Sequence, residues 1–300
     1  MGPTASCKTE FAISLCKRFP CDVISVDSAL VYRGMDIGTA KPDTETLTRV
    51  PHRLVDIREP EQTYSAGEFV RDARAEIERT QNEGRIPLLV GGTMLYFRAL
   101  TEGIADLPQA DPEIRRAIDE RARQFGWPDV HRELASVDPQ AAARISPNDS
   151  QRIQRALEVY RVSGKCLSDW QSIAGQPEID VNYLKVALQI EPRSVLHERI
   201  AQRLAIMIES GFIEELRDLK KRPGLTEDSP SMRSVGYRQF WQYLEGRCSL
   251  EEATNKALYA TRQLAKRQFT WLRSEKSVFA MNPLEAGAID AISAYLTEKL

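Results

Sequence analysis

The sequence predicts an α/β fold: a parallel sheet core built around a phosphate-binding loop, with an inserted helical domain. Three observations carry that prediction. The chain opens on a loop of phosphate-binding type, and helical and strand-like stretches then alternate over about the first hundred residues. From about Asp106 the pattern changes to short helices with basic faces.

"MGPTASCKT" reads as G-x-x-x-x-G-K-S/T from Gly2 to Thr9, with Cys7 where the second glycine belongs. In such a loop, successive backbone N–H groups curl around an anion at a helix N-terminus. The lysine adds a point charge, and the Ser/Thr hydroxyl helps to hold Mg²⁺. Glycine serves there because it accepts positive φ and lets the backbone approach phosphate closely. Cys7 therefore predicts crowding or a strained turn, at a cost of about 1–3 kcal/mol.

"KTEFAISLCKRF" follows with Phe11, Ala12, Leu15 and Phe19 at helical spacing, and "CDVISVDS" reads as a short buried strand, Val23 to Val26, ending in Asp27. "SAGEFVRDARAEIERTQNEG" is a helix with Ser65 as N-cap and Gly84 as its stop; "RIPLLVGGT" is a second strand, Ile86 to Val90, closed by a Gly91-Gly92-Thr93 turn. In parallel sheets, ligands bind beyond the carboxyl ends of the strands. The loop, Asp27 and the Gly-Gly-Thr turn converge there. A phosphate loop normally emerges from a buried strand, which would have to lie before Met1. The architecture is therefore read as P-loop NTPase-like, with its first strand missing before Met1.

"DPEIRRAIDERARQFG", "PDVHRELASVD", "PQAAARIS" and "SQRIQRALEVYRVSG" are the successive helices of the insertion. "YLKVALQIEPR" returns to strand character, and the remainder reads as helical. The core is accordingly assigned to 1–105 and 166–300, and the insertion to 106–165.

The 300 residues are 42% hydrophobic and 28% charged, ordinary for a globular protein, and the net charge of −2 confines any nucleic-acid surface to a local patch. One candidate patch is "ATRQLAKRQFTWLRSEK", Ala260 to Lys276, with five basic residues and one acidic. Arg262, Lys266 and Arg273 share a helical face there, with Arg267 adjacent. No apolar run reaches the roughly 18 residues of a membrane helix, and no leader of signal-peptide type is read. Five cysteines without a C-x-x-C pair predict free thiols and a cytoplasmic protein.

The stretches "ISVDSALVYRGMDIGTAKP", "PHRLVDI", "YSAGEF", "GRIPLLVGGTMLYFRAL", "AARISPND", "QRIQRALEVY", "RSVGYRQ" and "ATRQLAKRQFTWLR" occur in this order. Together they closely resemble the bacterial tRNA dimethylallyltransferases, from residue 1 to about 275. The resemblance implies transfer of a dimethylallyl group from dimethylallyl diphosphate to N6 of adenosine 37 in tRNA, with Mg²⁺. It implies that Gly2, Pro3, Thr4, Ala5, Ser6, Cys7, Lys8 and Thr9 hold the diphosphate, with Thr9 as a ligand of the Mg²⁺. Asp27, Thr93 and Arg233 become the catalytic set, Asp27 as general base and Arg233 at the diphosphate.

For tRNA, the resemblance implies contacts from Asp27, Ser28, Ala29 and Leu30, from Thr93, and from Arg115. Gln151, Arg152, Ile153, Gln154 and Arg155 follow, then Arg233, Ser234, Val235, Gly236, Tyr237 and Arg238. The last block is Lys266, Arg267, Gln268, Phe269, Thr270, Trp271, Leu272 and Arg273. Phe269 and Trp271, read on their own, are core residues. A monomer is expected. Two other readings stay open on the residues: a small-molecule kinase that would bind ATP in the loop, and a tRNA-binding relative without turnover.

Overall fold

The structure, a computed structural model, describes residues 1–105, 107–173 and 181–300. It divides into two compact units, Met1–Arg98 with Val181–Leu300, and Ala99–Asp180.

The first unit begins with α1 (Lys8–Cys16) and β1 (Cys21–Val26), followed by α2 (Thr44–Arg49), β2 (His52–Arg53), α3 (Ala66–Asn82), β3 (Ile86–Gly91) and α4 (Met94–Glu102), whose residues from Ala99 on fall in the second unit. The strands pair in parallel in the order β2-β1-β3. The parallel sheet and both expected strands are present, β1 starting two residues earlier than Val23. Ser65 caps α3 as read: its hydroxyl accepts from Glu68 N while the Glu68 carboxylate accepts from Ser65 N. The register pairs Val26 with Gly91, so β1 and β3 end side by side. That register brings Asp27 and the Gly-Gly-Thr turn to one edge.

The second unit contains α5 (Pro112–Phe125), α6 (Trp127–Val137), α7 (Pro139–Arg144), α8 (Ser150–Ser163) and α9 (Leu167–Ile173). The four expected helices are all present. Asp111 caps α5 ahead of Pro112, and Gly164 closes α8 with a left-handed residue. Ile118, Val130, Leu134, Ile153 and Leu157 form its core, with Leu167 packed against it. The unit is wider than 106–165 because α9, which carries Leu167, shares that core.

The chain then returns to the first unit with β4 (Lys185–Leu188), α10 (Arg193–Glu209), α11 (Phe212–Leu219), a 3₁₀ turn (Ser231–Arg233), α12 (Tyr237–Leu244), α13 (Leu250–Ser274), β5 (Val278–Met281) and α14 (Ala288–Lys299). β5 pairs in parallel with β4, where helix alone was expected. Met1 extends this pair by its backbone, donating from N to Val186 O at 2.7 Å and accepting from Leu188 N at 2.8 Å. Ala5 of the loop packs with Ile190, Leu196 and Ile200 on one side and with Ala265 and Phe269 of α13 on the other. The loop therefore sits in a socket made by α10 and α13.

Candidate active site

The loop turns through two left-handed non-glycine residues, Ala5 at φ 61° and Cys7 at φ 60°. Cys7 precedes the first turn of α1 and accepts from Phe11 N at 3.1 Å. The strain expected at Cys7 is present, and Ala5 shares it; each left-handed residue costs about 1–2 kcal/mol. Arg199 holds the strained stretch from α10, donating from Nε to Ala5 O at 3.1 Å and from Nη2 to Cys7 Sγ at 3.0 Å. Burial, with help from the Glu10 carboxylate, pushes the Cys7 thiol up against the opposing pull of Arg199, so the sulfur is a neutral thiol at pH 7.

Lys8 Nζ donates to Pro3 O at 2.6 Å, and Ser6 Oγ donates to the same carbonyl at 2.8 Å. Burial lowers the Lys8 ammonium to about 8, although the Asp27 carboxylate works to keep it charged. Burial likewise lowers Arg203, four residues along α10 from Arg199, with Asp27 and Glu10 opposing. Lys8 and Arg203 are thus desolvated, and with Arg199 they form a cationic cluster beside the loop, a setting in which an anion is worth more than in water. Neither arginine was singled out from the sequence. Their signal was the i, i+4 spacing on one face of α10.

Asp27 sits just past β1. Its Oδ1 accepts from Ala29 N at 2.9 Å and more loosely from Leu30 N at 3.4 Å, which fixes the carboxylate in an Asx turn. Thr93 stands just past β3 and ties the two strand ends together. Its N donates to Val26 O at 3.2 Å, and its Oγ1 accepts from Ser28 N at 3.0 Å and lies 3.3 Å from Ser28 Oγ. The chain is closely approached next door, where a Cβ at Gly92 would stand 2.6 Å from Gln268 Nε2 and 3.2 Å from Gly2 O. Gly2 is as tightly placed, its Cβ position lying 2.5 Å from Ser6 Oγ and 2.8 Å from Leu188 O.

Arg233 ends the 3₁₀ turn, exposed and outside every ion pair seen among the described residues. The turn is held by Ser231 Oγ, which donates to Pro60 O at 2.5 Å. Ser234 and Val235 are half-buried, Gly236 and Tyr237 are buried, and Arg238 is exposed. Tyr237 corrects the reading of this block: its hydroxyl donates to Glu215 Oε1 at 2.5 Å inside the protein. The same carboxylate accepts from the backbone N of Asp36, Ile37 and Gly38.

On α13, Lys266, Arg267, Thr270 and Arg273 are exposed, as is Arg262. Phe269 and Leu272 belong to the core, so their side chains are unavailable to a nucleic acid, and Phe269 lies under the Arg193 guanidinium at 5.4 Å. Trp271 is half-buried, with Arg98 5.5 Å over its ring. Gln268 is buried as well, its carboxamide bonded to Thr4 N and Gly92 O. The basic residues face out, as their spacing predicts, and the apolar ones face in.

In the second unit, Ile153 is fully buried, so its side chain is not presented at the surface, while Gln151 and Arg152 are exposed. Gln154 donates to Asp119 at 2.7 Å. Arg115 and Arg155 both close on Glu158, which has no exposed surface: Arg115 through Nε at 2.7 Å and Nη2 at 3.2 Å, Arg155 through Nη1 at 2.7 Å. Burial alone would raise the Glu158 carboxyl; the two guanidiniums outweigh it and hold it below the usual carboxylate range.

Among the described residues, no group of three or more His, Cys, Asp or Glu side chains is arranged to cage a metal. Mg²⁺ rarely uses such cages, taking one or two protein oxygens and the phosphates of a substrate instead. The half-buried Thr9, in the first turn of α1, fits that donor set.

A loop of phosphate-binding type at a helix start, a carboxylate at the neighbouring strand end and a cationic cluster beside the loop mark a P-loop-like α/β protein. The chain belongs to the IPP transferase family, whose model matches residues 30–275. It is 50% identical to a tRNA dimethylallyltransferase 2 of Hahella chejuensis, over the whole chain and 94% of that relative. Among solved structures it is similar to a full-length tRNA isopentenylpyrophosphate transferase of Bacillus halodurans, at 35% identity and TM-score 0.72, covering 99% of this chain and 94% of that one. A eukaryotic dimethylallyltransferase acting on tRNA superposes at TM-score 0.78 with 25% identity, covering 99% of this chain and 76% of that chain.

Proposed function

We propose that the chain transfers a dimethylallyl group from dimethylallyl diphosphate to N6 of adenosine 37 in tRNA. The observation that carries this reading is the pairing of the Lys8–Arg199–Arg203 cluster at the loop with the Asp27 carboxylate at the end of β1. In the reaction, the allylic carbon–oxygen bond breaks and a carbon–nitrogen bond forms at N6. Pyrophosphate departs, and the N6 proton passes to Asp27.

Charge grows on the departing pyrophosphate, where backbone N–H groups of the loop, Lys8 and the two arginines stabilise it. Mg²⁺, when bound, adds charge neutralisation, with the Thr9 hydroxyl as its protein ligand. Oδ1 of Asp27 is spent on Ala29 and Leu30, which aims the second oxygen as general base. Thr93 keeps this carboxylate in register with the β3 end through Ser28. The adenine must leave the anticodon-loop stack to reach it. Exposed Lys266, Arg267 and Arg273 supply phosphate contacts, and Arg152 and Arg233 are further tRNA or diphosphate contacts in the same reading. The protein acts as a cytoplasmic monomer in this reading. No helix among the described residues is long and apolar enough to cross a membrane.

The test is transfer of labelled dimethylallyl to unmodified tRNA bearing adenosine 37, with Mg²⁺, by the chain and by Asp27→Asn. The amide keeps the Asx turn and loses both the base and the negative charge that supports Lys8 and Arg203, so turnover should fall at least about 10²–10⁴-fold with tRNA binding retained. Undiminished turnover removes Asp27 from that role. Salt-sensitive tRNA binding without transfer by the unaltered chain would mark a tRNA-binding relative, and ATP-dependent phosphorylation without tRNA a kinase.

A further inference from the structure

The carboxamide of Gln268 lies at the meeting point of three segments. Its Oε1 accepts from Thr4 N in the loop at 2.9 Å, and its Nε2 donates to Gly92 O in the turn before Thr93 at 2.8 Å. The two partners fix which end is which, since only oxygen can accept from an N–H and only nitrogen can donate to a carbonyl. Among the described residues, no backbone hydrogen bond joins the loop to residues 91–93. The residue is 7% exposed, so water cannot easily replace either bond. Its backbone is equally fixed, with buried Ala265, Phe269 and Leu272 around it on α13.

We propose that Gln268 is a positioning residue: it sets the diphosphate loop against the Thr93 turn, and does not contact tRNA. This rests on the function proposed above only for its catalytic consequence. The Thr4 N–H is committed to Gln268, which leaves the anion to the later amides of the loop. One side chain from a rigid helix thereby registers the leaving-group site against the strand end that carries Thr93 and, through Ser28, Asp27. A shift of about 1 Å in such a register can cost on the order of a hundredfold in rate.

The experiment compares the full chain with Gln268→Met, which keeps the bulk and loses both bonds. Hydrogen exchange is read over residues 2–9, 91–93 and 253–272. Exchange in the first two stretches should quicken about tenfold, the order expected for one lost buried hydrogen bond, with 253–272 unmoved. Unchanged exchange in the loop and turn overturns the proposal. Should the Met variant fail to fold, Gln268→Glu decides. Its carboxylate still accepts from Thr4 N but faces Gly92 O, to which it can donate only when protonated. Protection of 91–93, corrected for intrinsic exchange, should then be present at low pH and lost as the carboxyl ionises; a flat profile overturns the proposal. In transfer assays, kcat should fall while tRNA affinity and its salt dependence hold. Weakened tRNA affinity with unchanged exchange would make Gln268 a tRNA contact. Absence of transfer by the unaltered chain would count against the function and leave the exchange result to judge Gln268.

Discussion

The Lys8 ammonium is held between a carbonyl that welcomes it and a desolvated site that does not. With its pKa lowered to about 8 by burial and 10.5 as its ordinary value, the unfolded chain binds the extra proton between those pH values, so this group's contribution to stability rises with pH across that window. Anion binding runs the other way. Pyrophosphate needs the charged amine, so its affinity should be full below about pH 8 and decline above it, by about tenfold per pH unit at most. Titration calorimetry of pyrophosphate from pH 7 to 9.5, with Lys8→Arg as the variant that does not titrate, isolates the effect; parallel pH profiles would refute it. At this scale the sequence was legible where chemistry is local. Lys8, Thr9 and Asp27 follow from a motif and a strand end. Arg199 and Arg203 were not, because nothing near them in the chain says which way that face of α10 turns. Cys7 shows both sides: its left-handed backbone followed from the motif, its sulfur–guanidinium contact did not.

Among the elements, α13 does two jobs on opposite faces. Ser249 and Glu252 start it with a reciprocal cap, and Ala253, Ala257, Ala265, Phe269 and Leu272 bury one stripe. The other face carries Arg262, Lys266, Arg267 and Arg273, and none of them enters an ion pair among the described residues. Each is therefore free to meet a phosphate. Lys266→Ala should weaken tRNA binding across sequences and reduce the slope of log K against log salt by about one, read by filter binding from 50 to 200 mM salt. An unchanged slope would mean that this face does not touch the backbone of tRNA. Helical periodicity told these faces apart in advance. It could not tell that Gln268, polar and flanked by basic residues, belongs to the buried stripe, because its partners lie 264 and 176 residues away. Tyr237 and Ile153 were misplaced for the same reason: a contiguous block of helix always contains residues that face inward.

The whole molecule consists of two units with separate cores. In the helical one, the fully buried carboxylate of Glu158 is gripped by Arg115 and Arg155 and accepts from Asp111 N at 2.9 Å. Removing one member of a buried charge cluster leaves the others uncompensated. Glu158→Ala should destabilise this unit by about 3 kcal/mol, toward the low end of such effects because both arginines are partly exposed. Denaturant unfolding followed by Trp127 fluorescence would report it, and pyrophosphate affinity should not move. The alternation of strands and helices made the first unit's architecture readable in advance, and basic amphipathic segments made the second readable as helices. β5 and α9 escaped notice because four and seven residues carry too little periodicity. In the first unit, the Glu215 carboxylate is shared by the backbone of residues 36–38 and by Tyr237, at the root of the Arg233 segment. These two stretches, some two hundred residues apart in the chain, are thus interchangeable between relatives only as a matched set. A chimera that imports one without the other, or without the helix bearing Glu215, inherits a loop cut to a template it no longer has.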